Sequence, residues 1–408
     1  MRGGEGALNS PVETSDRIAS LDVLRGFAVL GILVMNIQAF AMPMAAYFNP
    51  TAYGDLSGIN FFTWLVGYLF VDQKFLSMFS LLFGAGICLF ADRAEARSGR
   101  SASLHYRRMF YLLLFGLVHA YFLWSGDILV TYALCGLVLF FLRNRSPRTL
   151  VVIGLAVFSV ASVLYIAIGL TTEFIPDKDA AEIAAVWAPD AAKIDAELLA
   201  YRSEWFAQQA QRITDTLEMH TTVLPIQILW KSAGIMLLGM ACYRWHILSA
   251  VRSDVFYRYL ALIGFGVGVP VVVAGAWWNF AAGWSWDRSM FLGSQFNYWG
   301  SLAMAFGYVG LAMLAVRRGW FSALQMRFAA VGRMAFTNYI AQTLICTAIF
   351  YGHGFGLFGS VDRWQQAIVV IAVWGIQLWW SPLLLRRFRY GPLEWSWRAL
   401  TYWRLPRG

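Results

Sequence analysis

The sequence predicts an all-α membrane protein, a polytopic bundle of about ten transmembrane helices plus one re-entrant or interfacial helix. Composition is the first reason. Of 408 residues, 59% are hydrophobic, 17% aromatic and only 13% charged, where a soluble domain carries about 25% charged residues. Mean hydropathy is +0.56. The second reason is run length. Apolar runs reach roughly 17 to 25 residues, the length that crosses a bilayer core. They lack the weak ten-residue alternation of an outer-membrane barrel. The third is where the arginines fall.

The apolar runs place spans at 19–42, 74–91, 107–124, 127–142, 148–170, 223–243, 255–278, 290–316, 333–350 and 363–386. If each crosses once, one side receives Arg93 to Arg108, Arg143 to Arg148, Arg244 to Arg258, Arg317 to Arg333, and the arginines from Arg386 to Arg407. Positive loops mark the cytoplasmic side. The net charge of +9 is therefore topological and does not imply nucleic acid. INFFTWLVGYLFV, 59–71, is short for a crossing. Arg2 and Arg17 join the basic side only if it does not cross, so it is read as re-entrant or interfacial on the outer face.

The chain is expected to form a single membrane domain, 1–408, with both termini cytoplasmic. An N-terminal helix group covers 19–170 and a C-terminal group 223–386. Between them lies an acidic extracytoplasmic insertion, 171–222, whose Asp190 to Thr216 reads as amphipathic helix. The tail, 387–408, carries Trp395, Trp397 and Trp403 among arginines and suits a cytoplasmic interfacial helix. The first run has no clear small-residue cleavage site and is read as a retained helix. Four scattered cysteines without CxxC or CxxCH, and five scattered histidines, support no disulfide framework, metal site or heme. His105, His220, His246 and His353 are expected at membrane surfaces. GFGVG, 264–268, lies inside a helix without a following strand and reads as close helix packing, not a dinucleotide loop.

Ionisable groups inside hydrocarbon cost several kcal/mol unless they face a partner or a wet cavity, so they point to function. In RIASLDVLRGFAVLGILVMN, Asp22 and Arg25 share a helical face. Asn36 returns near that face about three turns on, toward the outer end. In GLVHAYFLWSGDILVTYALCG, His119 and Asp127 lie at a similar outer depth. His119 reads as a general base or an interhelical hydrogen-bond former. Asp127 reads as its orienter or as a helix N-cap. Lys231, near mid-membrane, requires an acidic or carbonyl partner. Asn338 and Gln342, four apart, read as helix–helix glue.

These stretches resemble a known group. RIASLDVLRGFAVLGILVMN, KFLSMFSLLFGAG (74–86), GLVHAYFLWSGDIL (116–129), GRMAFTNYIAQT (332–343) and YGPLEW (390–395, with Glu394) look like the signatures of the YeiB-like family of bacterial membrane proteins, a family of unknown function. The LDVLRG start with Asn36 is also distantly similar to heparan-α-glucosaminide N-acetyltransferase. That resemblance implies transfer of an acetyl group from cytoplasmic acetyl-CoA to an acceptor on the far side, and it covers Asp22, Arg25 and Asn36. That group's catalytic histidine follows the first span, whereas 43–73 here holds none.

The resulting expectation is an acyltransferase in a bacterial inner membrane, with acyl-CoA as co-substrate and a sugar, lipid or amine acceptor. His119, Asp127 and Asn36 are the candidate catalytic residues. Arg25, Arg107 and Arg108 are the candidates for the CoA phosphates. Asp22, Lys231, Asn338, Gln342 and Glu394 support the site. Membrane lipid is an expected partner, and oligomers are compatible with the sequence. The alternative is a transporter or lipid flippase with the same polar stripe lining a pathway. The absence of a visible inverted repeat counts against it.

Overall fold

The computed structural model describes residues 19–406; Arg2, Arg17 and Arg407 lie outside them. The chain forms α1 (Ala19–Ala41), α2 (Ala45–Phe48), α3 (Gly58–Phe70), α4 (Lys74–Ser98), α5 (Ser101–Val118), α6 (Leu129–Leu139), α7 (Pro147–Leu170), α8 (Asp177–Trp187), α9 (Ala191–Arg202), α10 (Gln209–Glu218), α11 (Leu229–Arg244), α12 (Asp254–Ala281), α13 (Ser294–Arg318), α14 (Ser322–Arg333), α15 (Ala335–Phe350), α16 (Arg363–Arg387) and α17 (Pro392–Tyr402). No strand occurs among the described residues.

Among the described residues, seven helical stretches have the length and apolarity to cross a membrane: Ala19–Ala41, Gly58–Arg97, Pro147–Leu170, Gln209–Arg244, Asp254–Ala281, Trp286–Arg318 and Arg363–Arg387. The remaining expected crossings are α5, whose N-terminal half carries His105, Arg107 and Arg108, and the shorter apolar helices around α6 and α15. The α6 and α15 helices are largely enclosed by their neighbours, so packing supplies what their length does not.

The helices alternate between two ends. At the basic end, Ser20 Oγ donates to Leu248 O at 2.8 Å. Arg244 pairs with Asp92 at 3.0 Å and reaches Arg143 O at 2.9 Å. Arg317 and Arg318 both pair with Asp254 at 2.8 Å. The insertion closes the opposite end: Met44 N donates to Glu197 Oε1 at 2.9 Å, and Gln209 Nε2 to Tyr121 O at 2.7 Å. The stretch read as one amphipathic helix is two, α9 and α10, broken between them. Leu198 and Tyr201 pack inward, whereas Ile213 is exposed.

Residues 59–71 form a separate helix, α3. Its 13 residues span about 20 Å, short of a ~30 Å hydrocarbon core. It ends where Gln73 adopts φ +63°. Trp64 and Phe61 pack on Phe280 of α12, and Trp364 N at the head of α16 donates to Asn60 at 3.3 Å. The α14 helix was not expected, because SALQMRFAAVGR is too polar to read as a span. It packs along the first half of α1. A Cβ on Gly26 would sit 1.9 Å from Phe328 O, and one on Gly332 1.9 Å from Asp22 O, so both glycines are required by that approach. The same device joins α4 to α11 at Gly84 and Gly239, and α12 to α13 through Gly264 and Gly268.

Candidate functional site

The site has two parts, a cavity opening at the basic end and a buried constellation beyond its inner end. The α1–α14 contact sets the mouth. Gly26 and Gly332 bring the two backbones together, and this puts Arg25 and Arg333 on one wall. Asp22 Oδ1 accepts from Arg25 Nη1 at 3.0 Å, the i,i+3 pair expected from sequence. Arg93, Arg108 and Arg398 complete the arginine lining, against two carboxylates, Asp22 and Glu394. Arg108 lies between the rings of Phe90 (4.8 Å) and Trp397 (4.4 Å). Arg107 points the other way, stacking on Trp403 at 3.6 Å and donating to Thr401 O at 3.1 Å. It is outside the cavity.

Glu394 ties the tail to α15. It accepts from Phe336 N at 2.7 Å, Thr337 N at 3.0 Å and Thr337 Oγ1 at 2.6 Å. This supplies the N-terminal donors of α15 with a carboxylate at the positive end of the helix dipole. Burial pushes the Glu394 carboxyl above its usual range despite those donors.

Above the mouth the cavity becomes apolar, lined by Val29, Ile32, Phe79, Leu82, Leu112 and Leu129, with a volume of about 260 Å³. It extends along α1 from Asp22 to Ile32 and along α4 from Arg93 to Phe79, roughly 15 to 21 Å at 1.5 Å per residue. Tyr339, Ile128 and Tyr132 close the inner end. Tyr339 is 5% exposed, and its hydroxyl forms no hydrogen bond of ordinary geometry.

The constellation lies one helical turn further. The α5 helix ends in a wide turn at His119–Leu123, with Trp124 N donating to His119 O, five residues back, at 2.9 Å. Wide turns of this kind recur at functional sites. The turn presents His119 to Asp127 at the head of α6. Asp127 fills both roles weighed from sequence: Oδ2 accepts from Val130 N at 2.7 Å as a helix cap, and Oδ1 meets His119 Nδ1 at 2.7 Å. His119 Nε2 meets Thr343 Oγ1 at 2.9 Å. His119 and Thr343 are 1% and 0% exposed. A carboxylate only accepts, so in the neutral ring Nδ1 carries the proton and Nε2 accepts from the Thr343 hydroxyl. The His119 and Tyr339 rings are 5.2 Å apart.

The other candidates lie elsewhere. Asn36 is buried one turn beyond Ile32, and no hydrogen bond joins it to His119 or Asp127. Asn338 and Gln342 bind α15 to α16 and α1. Trp380 Nε1 donates to Asn338 Oδ1 at 2.8 Å, and Gln342 Nε2 reaches Gln377 Oε1 at 2.9 Å and Val29 O at 3.2 Å. Lys231 donates to the Gln73 amide oxygen and sits over the Tyr298 ring at 5.0 Å. Beside it lies Lys74, fully buried, donating to Tyr68 O and Asn297 Oδ1 at 2.6 Å each; Asn297 in turn donates to Asp72 at 2.7 Å. Of the other histidines, His105 is buried, not at a surface: Nε2 is 2.9 Å from Gly136 O and the ring stacks on Phe140. No His/Cys/Asp/Glu cluster suited to a metal occurs among the described residues.

Sequence reasoning missed Thr343, Tyr339 and Lys74. Lys74 opens its span and resembles an end anchor. Thr343 closes the GRMAFTNYIAQT signature, and its only signal was a hydroxyl one residue beyond Gln342.

Fold and site together define a multi-pass α-helical membrane protein with an arginine-mouthed cavity leading toward a buried His–Asp pair. Residues 242–404 match the family described as "Protein of unknown function (DUF418)". The chain is 33% identical over 392 residues to "Uncharacterized protein YeiB" of Escherichia coli (strain K12), covering 95% of this chain and 96% of that one. It is 31% identical over 408 residues to "Uncharacterized protein YxaH" of Bacillus subtilis (strain 168), covering 96% of each. The chain belongs to this YeiB-like DUF418 family. No solved structure matches it.

Proposed function

We propose that the protein is an acyltransferase of a bacterial inner membrane, moving an acyl group from cytoplasmic acyl-CoA to an extracytoplasmic sugar, lipid or amine. The observation that carries this reading is the cavity. Its mouth has five arginines against two carboxylates, and its apolar throat ends at Tyr339, beside His119. Arg25 and Arg108 are suited to phosphates, since guanidinium binds them with paired, charge-assisted hydrogen bonds. The throat suits a pantetheine arm and its acyl group. By the positive-inside rule the basic end is cytoplasmic, with both termini there. An acceptor then approaches from the end closed by the insertion. His119, oriented by Asp127, takes the proton from the attacking hydroxyl or amine.

The test is thermal unfolding of the purified protein in detergent with acetyl-, octanoyl- and palmitoyl-CoA, beside Arg25→Ala. A ligand that binds only the folded state raises stability once its concentration exceeds Kd. Saturable stabilisation that Arg25→Ala removes supports the reading; no shift with any of the three overturns it.

One observation favours transport as a second reading. The chain breaks at Val71–Gln73 beside buried Lys74 and Lys231, and interrupted helices with buried charges often form ion or solute sites. Solute counterflow in liposomes without chemical change is its test.

A further inference from the structure

We propose that Thr343 is a nucleophile that carries the acyl group covalently between the donor and the acceptor; this rests on the acyltransferase reading. Thr343 Oγ1, His119 Nε2, His119 Nδ1 and Asp127 Oδ1 form one relay at 2.9 and 2.7 Å, with Asp127 fixed by Val130 N. A nucleophile, a base within hydrogen-bond reach, and a third group orienting the base are the requirements for an activated hydroxyl. The tautomer is the productive one: Nδ1–H faces the carboxylate and Nε2 is open to the hydroxyl proton.

Two observations separate this arrangement from helix glue. First, hydroxyls inside helices commonly return to the carbonyl four residues back, as Thr63, Ser77 and Ser80 do here. Thr343 bonds His119 instead. Second, a neutral His–Thr pair would hold α5 to α15 by itself. The Val130 cap occupies only Asp127 Oδ2; the second oxygen of this costly buried carboxylate is aimed at His119 Nδ1.

Access is through Tyr339. It is one turn before Thr343 on the same face of α15 and forms the inner wall of the cavity. A rotation of its side chain opens the throat to Thr343. Its hydroxyl, which makes no hydrogen bond of ordinary geometry, supplies a donor to the thioester carbonyl oxygen as negative charge develops.

In the first half-reaction Thr343 Oγ attacks the thioester carbonyl carbon while His119 Nε2 takes the hydroxyl proton. The C–O bond forms, the C–S bond breaks, and the imidazolium returns the proton to the departing CoA thiolate. The products are a Thr343 ester and CoA thiol. In the second, an acceptor hydroxyl or amine attacks the ester carbon, His119 accepts its proton, and that proton goes back to Thr343 Oγ as the ester bond breaks. No oxidant or metal is required. Because Thr343 is fully buried, water has no ready route to the ester.

The experiment mixes purified protein with acetyl-, octanoyl- or palmitoyl-CoA in the absence of acceptor. Released CoA thiol is followed with a chromogenic reagent, and peptides are analysed by mass spectrometry after acid quench. The expected result is a burst of about one CoA per protein and a hydroxylamine-sensitive acyl group on Thr343. Thr343→Ser should retain both, while Thr343→Val and His119→Gln should reduce the burst at least tenfold. Thr343→Val keeps the side-chain shape, and acyl-CoA stabilisation reports that it is folded. Stabilisation by acyl-CoA with no burst, or with the label elsewhere, overturns the covalent role and leaves the cavity reading standing. No stabilisation by any acyl-CoA overturns both.

Discussion

Replacing Asp127 separates its two bonds. In Asp127→Ala, Val130 N loses its cap and His119 Nδ1–H its acceptor. Loss of an N-cap costs about 1 kcal/mol. Leaving a buried donor without its charged partner costs about 1 to 3 kcal/mol. The sum is about 2 to 4 kcal/mol. For a chain near 400 residues, with an unfolding entropy of about 2 cal/mol/K per residue, this lowers Tm by roughly 2 to 5 °C. Asparagine caps as well as aspartate. In Asp127→Asn the amide oxygen keeps Val130 N, and the amide nitrogen donates to His119 Nδ1, so Tm should stay within about 1 °C. The same swap forces the proton onto Nε2, leaving the ring unable to take one from Thr343 or an acceptor. In a serine-protease triad this tautomer change costs about 10⁴ in kcat; the CoA burst should therefore vanish in Asp127→Asn despite native stability. Thermal unfolding in detergent, paired with the burst assay, reads both effects. An Asp127→Ala protein as stable as wild type would refute the two bonds, and an Asp127→Asn protein as unstable as Asp127→Ala would refute the capping argument.

Adjacent arginines should behave oppositely. Arg108→Ala should weaken acyl-CoA stabilisation at least tenfold in apparent Kd, whereas Arg107→Ala should leave it within about twofold, since Arg107 faces Trp403 and Thr401 O; a titration by thermal shift decides. Gly26→Ala should cost about 1 to 3 kcal/mol, because its Cβ meets the backbone oxygen of Phe328 at 1.9 Å and no flexible side chain can yield; it should also weaken acyl-CoA binding by spreading Arg25 and Arg333. Burial pushes the Glu197 carboxyl up to about 7. A carboxyl raised on folding gives stability that is complete below its unfolded pKa near 4.5 and lost as pH rises through 7. The insertion should therefore be better protected in hydrogen exchange at pH 5 than at pH 8, once intrinsic rates are corrected. Glu197→Gln should flatten that difference while retaining the Met44 N contact.

What was legible in the sequence followed from local physics. Span positions come from hydropathy over about 20 residues. Asp22–Arg25 and Asp127–Val130 are contacts within one turn, so spacing along a helix reveals them. His119–Thr343 spans 224 positions, and a threonine in an apolar helix is unremarkable until the histidine is placed beside it. The choice between Arg107 and Arg108 is a matter of about 100° around α5, and only the position of α17 shows which side is the cavity. The α14 helix was hidden because two thirds of its residues are polar or small; its close packing comes from Gly26 and Gly332, not from its own hydrophobicity.

The tail gains a meaning that its composition concealed. Tryptophans among arginines marked α17 as an interfacial anchor, yet Glu394, Trp397, Arg398, Thr401 and Tyr402 all line the mouth of the cavity. Glu394 also grips Phe336 and Thr337 at the head of α15. Phe336, Tyr339 and Thr343 recur at the three- and four-residue spacing that keeps side chains on one face of a helix. A single helix thus meets the tail at its head, the throat one turn on, and His119 one turn beyond. Helices are stiff along their axis, and α15 is pinned laterally by Asn338 and Gln342. On the proposed reading, an anion bound between Arg398 and Arg25 would therefore act on the same rigid element that holds Thr343 against His119. A tail shift that loosened Glu394 would be felt at the constellation without any contact between the two.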